Sequence, residues 1–151
     1  MIETISKKVT PTDENTVIDI MSNFGWTLKS SQEINTAESH LEGRGDSVYS
    51  VTTRENYVKL VFQRDTGMKN YSKIKELETK YTNLVDSEPL PPDFNIISFF
   101  ILFLKGITPG IQYIKNYKKQ TKEYEENYGA WLSKMNSEGK EYLNSASALL
   151  T

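Results

Sequence analysis

The feature that most constrains this chain is the run Ile96 to Leu104, in which eight of nine residues are large and apolar. The surrounding sequence is polar, and the mean hydropathy of the whole chain is -0.55. A soluble domain accommodates such a run only as a buried element, whereas a membrane-associated protein can present it to lipid. The question that the sequence poses is therefore what covers these side chains.

Composition excludes several kinds of chemistry. The 151 residues suffice for one ordinary domain, or for a smaller domain with an appendage. Cysteine is absent, so neither disulfides nor thiolate metal sites can form. His40 is the only histidine and lies near Glu38 and Glu42, too sparse a set for a defined metal site or a histidine-based catalytic pair. We therefore expect neither an enzyme nor a cofactor.

The charge is distributed unevenly along the chain. Residues 1–93 carry 11 basic and 15 acidic side chains, whereas residues 94–151 carry 7 basic and 5 acidic ones. An acidic first part argues against nucleic-acid binding, which depends on clustered basic contacts to phosphate. No pattern for a small-molecule substrate is evident either.

The first 86 residues carry the patterns of a small α+β domain. Residues 2–9 and 26–34 alternate in the manner of strands. Between them, Thr10-Pro11 favours a helix start, and Gly25 can adopt the left-handed conformation that ends a helix. We predict a strand, a helix and a second strand.

The next patterns complete this predicted domain. Residues 38–46 are rich in glycine and charge and predict a loop or a wide turn. The stretches 48–53 and 57–63 predict two further strands, with Val58, Leu60 and Phe62 on one face of the second. Asn70 is a candidate N-cap for a second helix. The inward stripe of this helix is predicted to consist of Ile74, Leu77, Tyr81, Leu84 and Val85. The expected fold class is α+β, with three to four strands and two helices, followed by an apolar helix and a long amphipathic C-terminal helix.

Two short motifs carry a family resemblance. The stretch from Asn23 to Ser30, with Gly25-Trp26 at a helix-to-strand junction, and the later strand Lys59 to Arg64 resemble the DUF4177-type small α/β domains of bacteria. With the following apolar segment, residues 1–114 also resemble small membrane proteins of Gram-positive bacteria. The resemblance implies an architecture and no activity.

A proline-rich segment predicts the domain boundary. Pro89, Pro91 and Pro92 favour an extended, semi-rigid spacer. The predicted organisation is an α+β domain over 1–86, a linker over 87–93, an apolar membrane-associated segment over 94–114 and an amphipathic helical tail over 115–151.

The apolar segment leaves three structures open. As one straight helix, residues 94–114 would be about 31 Å long, close to the thickness of a bilayer core, but Lys105 and the sequence Gly106 to Gly110 make spanning marginal. A kinked span, a hairpin entering one leaflet and two helices joined in water all remain possible. The predicted anchor residues are Ile96, Ile97, Phe99, Phe100, Ile101, Leu102, Phe103 and Leu104.

The C-terminal helix carries an aromatic stripe. Apolar and aromatic residues recur in an a/d heptad pattern from Ile114 to Tyr142, and Gly129 or Gly139 is expected to bend or break the helix. The stripe either contacts a partner or a second copy, or packs on this chain. The residues of the predicted partner face are Tyr117, Tyr124, Tyr128, Trp131 and Met135.

Charges after the apolar segment favour one side of a membrane. The predicted headgroup contacts are Lys115, Lys118, Lys119 and Lys122, which the positive-inside rule places on the cytoplasmic side. We predict a non-catalytic accessory protein at the cytoplasmic face of the bacterial cytoplasmic membrane. The alternative is a cytoplasmic interaction or oligomerisation module, in which the apolar run is core or a dimer seam. The tripeptide Arg44-Gly45-Asp46 is interpreted as part of a turn.

Overall fold

A computed structural model describes residues 1–43 and 49–151 of the chain. The elements in chain order are strand β1 (Ile2–Val9), helix α1 (Glu14–Asn23), strands β2 (Thr27–Glu42) and β3 (Tyr49–Asp65), helices α2 (Tyr71–Asp86), α3 (Ile96–Leu104) and α4 (Ile107–Lys134), a π-helical turn (Met135–Gly139) and helix α5 (Lys140–Ala148). The three strands and several helices confirm the predicted α+β class.

The sheet is antiparallel, with β3 between β1 and β2. Alternate residues of β3 are buried, which confirms the prediction that Val58, Leu60 and Phe62 share one inward face. The last pair between β1 and β3 joins Val9 to Val58, whereas β2 and β3 remain paired as far as Glu42 and Tyr49. A two-stranded ribbon therefore extends beyond the end of β1.

The ribbon corrects two sequence predictions. Residues 38–42, expected in a loop, continue strand β2, because each of them pairs with a residue of β3. The two strands predicted over 48–53 and 57–63 are one strand, since the polar residues between them keep their cross-strand partners. Val48 and Arg44-Gly45-Asp46 lie outside the described residues.

Helix α1 begins later than predicted. Its N-cap is Asp13, and Thr10 instead closes a turn in which its hydroxyl donates to the Asp13 carboxylate at 2.6 Å. The end of the helix is as predicted: Gly25 has φ +79°. A Cβ atom at Gly25 would lie 2.7 Å from Cε of Met68, but that atom ends a flexible side chain and can move, so the positive φ is what favours glycine there.

The stripe predicted on α2 is largely confirmed. Ile74 is buried and Leu77, Tyr81 and Leu84 are partly buried, and burial raises the pKa of Tyr81. Val85 is the exception and is exposed. Asn70 precedes the helix, but its side-chain amide donates to the Leu149 carbonyl oxygen at 3.1 Å.

The chain folds into two compact units. The sheet unit comprises residues 1–78 and 143–151, and the helical unit comprises residues 79–142. The division falls inside α2 and inside α5, whereas the sequence places its boundary at the prolines. The last nine residues belong with the sheet because Ala146 is fully buried there.

The core of the sheet unit is small. Its buried side chains come from one face of the sheet, from α1 and the turn after it, and from α2 and α5: Met21, Phe24, Trp26, Val58, Leu60, Phe62, Ile74 and Ala146.

The helical unit contains the apolar run. The predicted segment 94–114 forms two helices, because α3 ends at Leu104 and α4 begins at Ile107. In the described part of the chain, no helix combines the length and the apolar character that crossing a bilayer requires. Helix α4 continues through Gly129, and only Gly139 coincides with an irregularity, the π-helical turn.

Candidate functional site

The candidate site is the helical hairpin formed by α3 and α4. Asn95 caps α3 by accepting a hydrogen bond from the Ser98 amide at 2.9 Å. The chain then turns at Lys105 and Gly106, and Gly106 has φ +146°, a conformation that L side chains rarely adopt. The local sequence therefore determines both ends of the short helix.

An aromatic cluster closes the base of the hairpin. The Tyr113 hydroxyl accepts a hydrogen bond from the Asn95 amide at 3.0 Å and donates to the Asn95 carbonyl oxygen at 3.2 Å. The Phe94 ring lies 5.5 Å from the Tyr113 ring and 5.0 Å from the Tyr117 ring. Phe99 completes the cluster at 6.1 Å from Tyr113. These contacts join the start of α3 to α4.

A glycine permits close packing near the turn. Gly110 is buried, and a Cβ atom there would lie 2.8 Å from Cδ2 and 3.3 Å from Cα of Phe103. Because one of these contacts is to the backbone, a larger residue would push the two helices apart.

The apolar run is exposed although the hairpin is tightly closed. No residue of α3 is buried. Of the eight predicted anchor residues, only Phe99 and Leu102 are partly covered. The exposed fractions of the remaining side chains run from 48 to 86%: Ile96, Ile97, Phe100, Ile101, Phe103 and Leu104. Large contiguous apolar surfaces of this kind mark interaction sites.

The exposed residues occupy one side of α3. At 3.6 residues per turn they fall on a continuous arc, and the partly covered Phe99 and Leu102 lie on the opposite side. Lys105, also exposed, lies at the margin of the arc. An apolar stripe with a lysine at its edge is typical of helices that lie in a membrane interface, where the lysine stem extends toward water.

Helix α4 extends the apolar surface and then replaces it with charge. Ile107, Ile111 and Ile114 are exposed and lie on one side of its first turns. The four predicted headgroup lysines are also exposed and continue along that side: Lys115, Lys118, Lys119 and Lys122. Sequence reasoning assigned Ile114 to the aromatic stripe and overlooked this isoleucine row, although the i, i+4, i+7 spacing was its signal.

The aromatic stripe runs along α4 into the π-helical turn, and other side chains of this protein partly cover it. Its five predicted partner residues are all partly buried: Tyr117, Tyr124, Tyr128, Trp131 and Met135. Tyr117 contacts Phe94, and the Trp131 indole donates to the Leu84 carbonyl oxygen at 2.8 Å. Contacts within the helical unit therefore cover part of this face.

The sheet unit contains a buried ionic cluster that sequence reasoning missed. The Arg64 side chain is only 2% exposed and pairs with Glu3 and, at 2.8 Å, with Glu78. Its guanidinium also donates to the Phe24 carbonyl oxygen at 2.9 Å and lies 4.2 Å from the Trp26 ring centre. The sequence contained one indication of this cluster: Arg64 lies two residues after Phe62, so the strand period places it on the same buried face.

This cluster has no vacant position that would indicate a ligand. Trp26 donates to Glu78 at 2.7 Å, and Tyr71 donates to Glu3 at 3.2 Å. Among the described residues, no buried side-chain nitrogen or oxygen lacks a hydrogen-bond partner. The cluster therefore has the character of a structural network.

His40 and the charged residues near the end of β1 lie on exposed surface. His40 contacts Glu42 at 2.8 Å, and the described residues contain no group of three or more potential metal ligands. Where β1 ends, an open groove of about 510 Å³ contains Lys8, Glu55 and Tyr57. The hydrogen bond from Lys8 to Glu55 raises the pKa of the lysine, and both side chains are more than half exposed.

No family model matches this sequence, and no curated protein or solved structure shows significant similarity to it. The resemblance to DUF4177-type domains therefore stays a prediction.

Proposed function

We propose that this protein is a non-catalytic, membrane-associated accessory protein of bacteria that docks on one leaflet through the exposed apolar side of the α3–α4 hairpin. The observation that carries the proposal is the absence of any buried residue in α3, a helix in which eight of nine residues are large and apolar. Transfer of such side chains from water to a lipid interface is favourable.

The length of α3 supports docking at an interface. A helix of nine residues is about 14 Å long, roughly half of a hydrocarbon core. At the start of α3, Asn95 accepts hydrogen bonds from the Ser98 and Phe99 backbone amides, which reduces the number of unpaired polar groups that would face lipid. The aromatic cluster and the close approach at Gly110 hold the hairpin closed while its outer side stays available.

The charge pattern favours lipid over a second copy of the chain. Lys105 borders the apolar arc of α3, and Lys115 and Lys118 follow the isoleucine row of α4. Lysine is depleted in the cores of protein interfaces, whereas interfacial membrane helices combine an apolar face with lysines. The cytoplasmic face of the cytoplasmic membrane is the proposed location, since the anionic lipids of that leaflet attract clustered lysines.

A single substitution on the exposed arc tests the proposal. Ile101 is 51% exposed, so Ile101→Glu should leave the fold unchanged while removing apolar contact and adding a carboxylate. We expect the partition coefficient on phospholipid vesicles to fall by about tenfold or more. The measurement is co-sedimentation of the full chain with vesicles, without detergent.

Helix α4 offers a matched control. Leu132 is 45% exposed and lies outside the hairpin tip, so Leu132→Glu should leave vesicle binding unchanged. Failure of the unmodified chain to bind any vesicle would contradict the proposal. A lipid-free dimer that Ile101→Glu converts to a monomer, as measured by light scattering, would support an oligomerisation module instead.

A further inference from the structure

We infer that Lys115 and Lys118 make the hairpin selective for anionic phospholipids. This inference rests on the proposed membrane docking and specifies which lipid headgroups the surface recognises. Helix α3 and the first half of α4 carry only positive charge, because residues 94–122 contain five lysines and no aspartate or glutamate.

The positions of the two lysines place them at the edge of the apolar surface. Lys115 directly follows Ile114, and Lys118 lies one turn beyond Ile114 on the same side of α4, about 6 Å further along the axis. When the isoleucines enter the interface, these ammonium groups are brought to the depth of the phosphates. Anionic lipids give the surface a net negative potential at that depth, whereas the choline of phosphatidylcholine balances its phosphate.

Pairing within the helix separates these lysines from the next two. Lys119 lies 3.8 Å from Glu123, and Lys122 lies 3.9 Å from Glu126. Neither Lys115 nor Lys118 has a carboxylate at ion-pair distance among the described residues. Among the lysines of α4, the unpaired charge is therefore next to the isoleucine row, and the following glutamates oppose contact of the rest of α4 with an anionic surface.

The expected preference for anionic over zwitterionic vesicles can be given as a ratio of affinities. A lysine near an anionic membrane surface strengthens binding by about fivefold, so the pair corresponds to roughly a thirtyfold preference. This preference decreases as salt is added, because the interaction is screened over about a Debye length. The contribution of the apolar side chains to vesicle binding persists at high salt.

The test compares two vesicle compositions. Full-length protein is co-sedimented with phosphatidylcholine vesicles and with vesicles that also contain phosphatidylglycerol. We expect binding to both, with a clear preference for the mixed vesicles. The double variant Lys115→Gln with Lys118→Gln should lose most of this preference and keep its affinity for phosphatidylcholine. Glutamine is compatible with the helix, so circular dichroism should be unchanged.

The matched control removes the same charge elsewhere in the chain. Lys134→Gln with Lys140→Gln should keep the preference, since both lysines lie at least 16 residues beyond Lys118 in the chain. Equal binding of the unmodified chain to both vesicles would overturn this inference and leave membrane docking standing. Equal losses in the two double variants would also overturn it, because selectivity would then follow net charge. Absence of binding to either vesicle would instead overturn the proposed function.

Discussion

At the scale of single residues, the unusual feature is a fully enclosed arginine. Arg64 occupies a position on the buried face of β3 where an apolar residue is expected, and Glu3 and Glu78 compensate its charge. Both carboxylates are themselves only partly exposed, at 27 and 21%. Removing the arginine would leave two poorly solvated negative charges near each other.

We expect Arg64→Met to lower the free energy of unfolding by about 3 kcal/mol or more, because breaking a buried ionic network leaves its partners uncompensated. The measurement is urea unfolding of the full chain.

Arg54, an exposed arginine on the same strand β3, provides a control for this variant. Arg54→Met should change the free energy of unfolding by no more than about 0.5 kcal/mol. Equal effects of the two substitutions would show that the Arg64 cluster is not a stabilising network.

At the scale of elements, the hairpin depends on a glycine that the sequence marks only as a helix-weakening residue. Helix propensity alone predicts that any Gly→Ala change in α4 is stabilising. At Gly110 packing makes the same change destabilising, because an added methyl group would lie 3.3 Å from Cα of Phe103. At Gly129, no atom other than those of its chain neighbours and its own helix backbone lies within 4 Å of the added carbon.

We therefore expect Gly110→Ala to destabilise the protein by about 1–2 kcal/mol through overpacking. Gly129→Ala, on the same helix, should stabilise it by up to about 1 kcal/mol. Urea unfolding followed by circular dichroism measures both values. Stabilisation by both substitutions would refute the close approach of α3 to α4.

At the scale of the whole molecule, the end of the chain completes the unit that contains its beginning. Ala146 of α5 is fully buried, and Leu149 accepts a hydrogen bond from Asn70. The heptad pattern ends at Tyr142 and does not indicate that the following residues complete the core of the sheet unit.

We expect Ala146→Glu to destabilise the fold by more than about 3 kcal/mol, since it introduces an unpaired charge into the core. The free energy of unfolding in urea is the measured quantity. Ala148→Glu, two residues later at an exposed position, should cost no more than about 1 kcal/mol. Comparable stability of the two variants would contradict the assignment of residues 143–151 to the sheet unit.

Local patterns were sufficient for most of the elements. Alternation along β3 revealed the buried face, and Gly25 was correctly predicted to end a helix, because these signals arise from neighbouring residues. Local reasoning failed at residues 38–42 and in the middle of β3. There, polar sequences are held in strands by pairing with each other and not by an apolar face.

The sequence by itself determined that this chain contains a run of eight large apolar residues in nine, a row of lysines after it and an α+β domain before it. Only the tertiary structure decided that the run is one side of a closed hairpin with its apolar surface outward. It also decided that Arg64 is enclosed between carboxylates 61 and 14 residues away in the chain. Both outcomes depend on contacts between distant residues, which periodicity does not encode, since the same apolar spacing serves a buried helix and an exposed one.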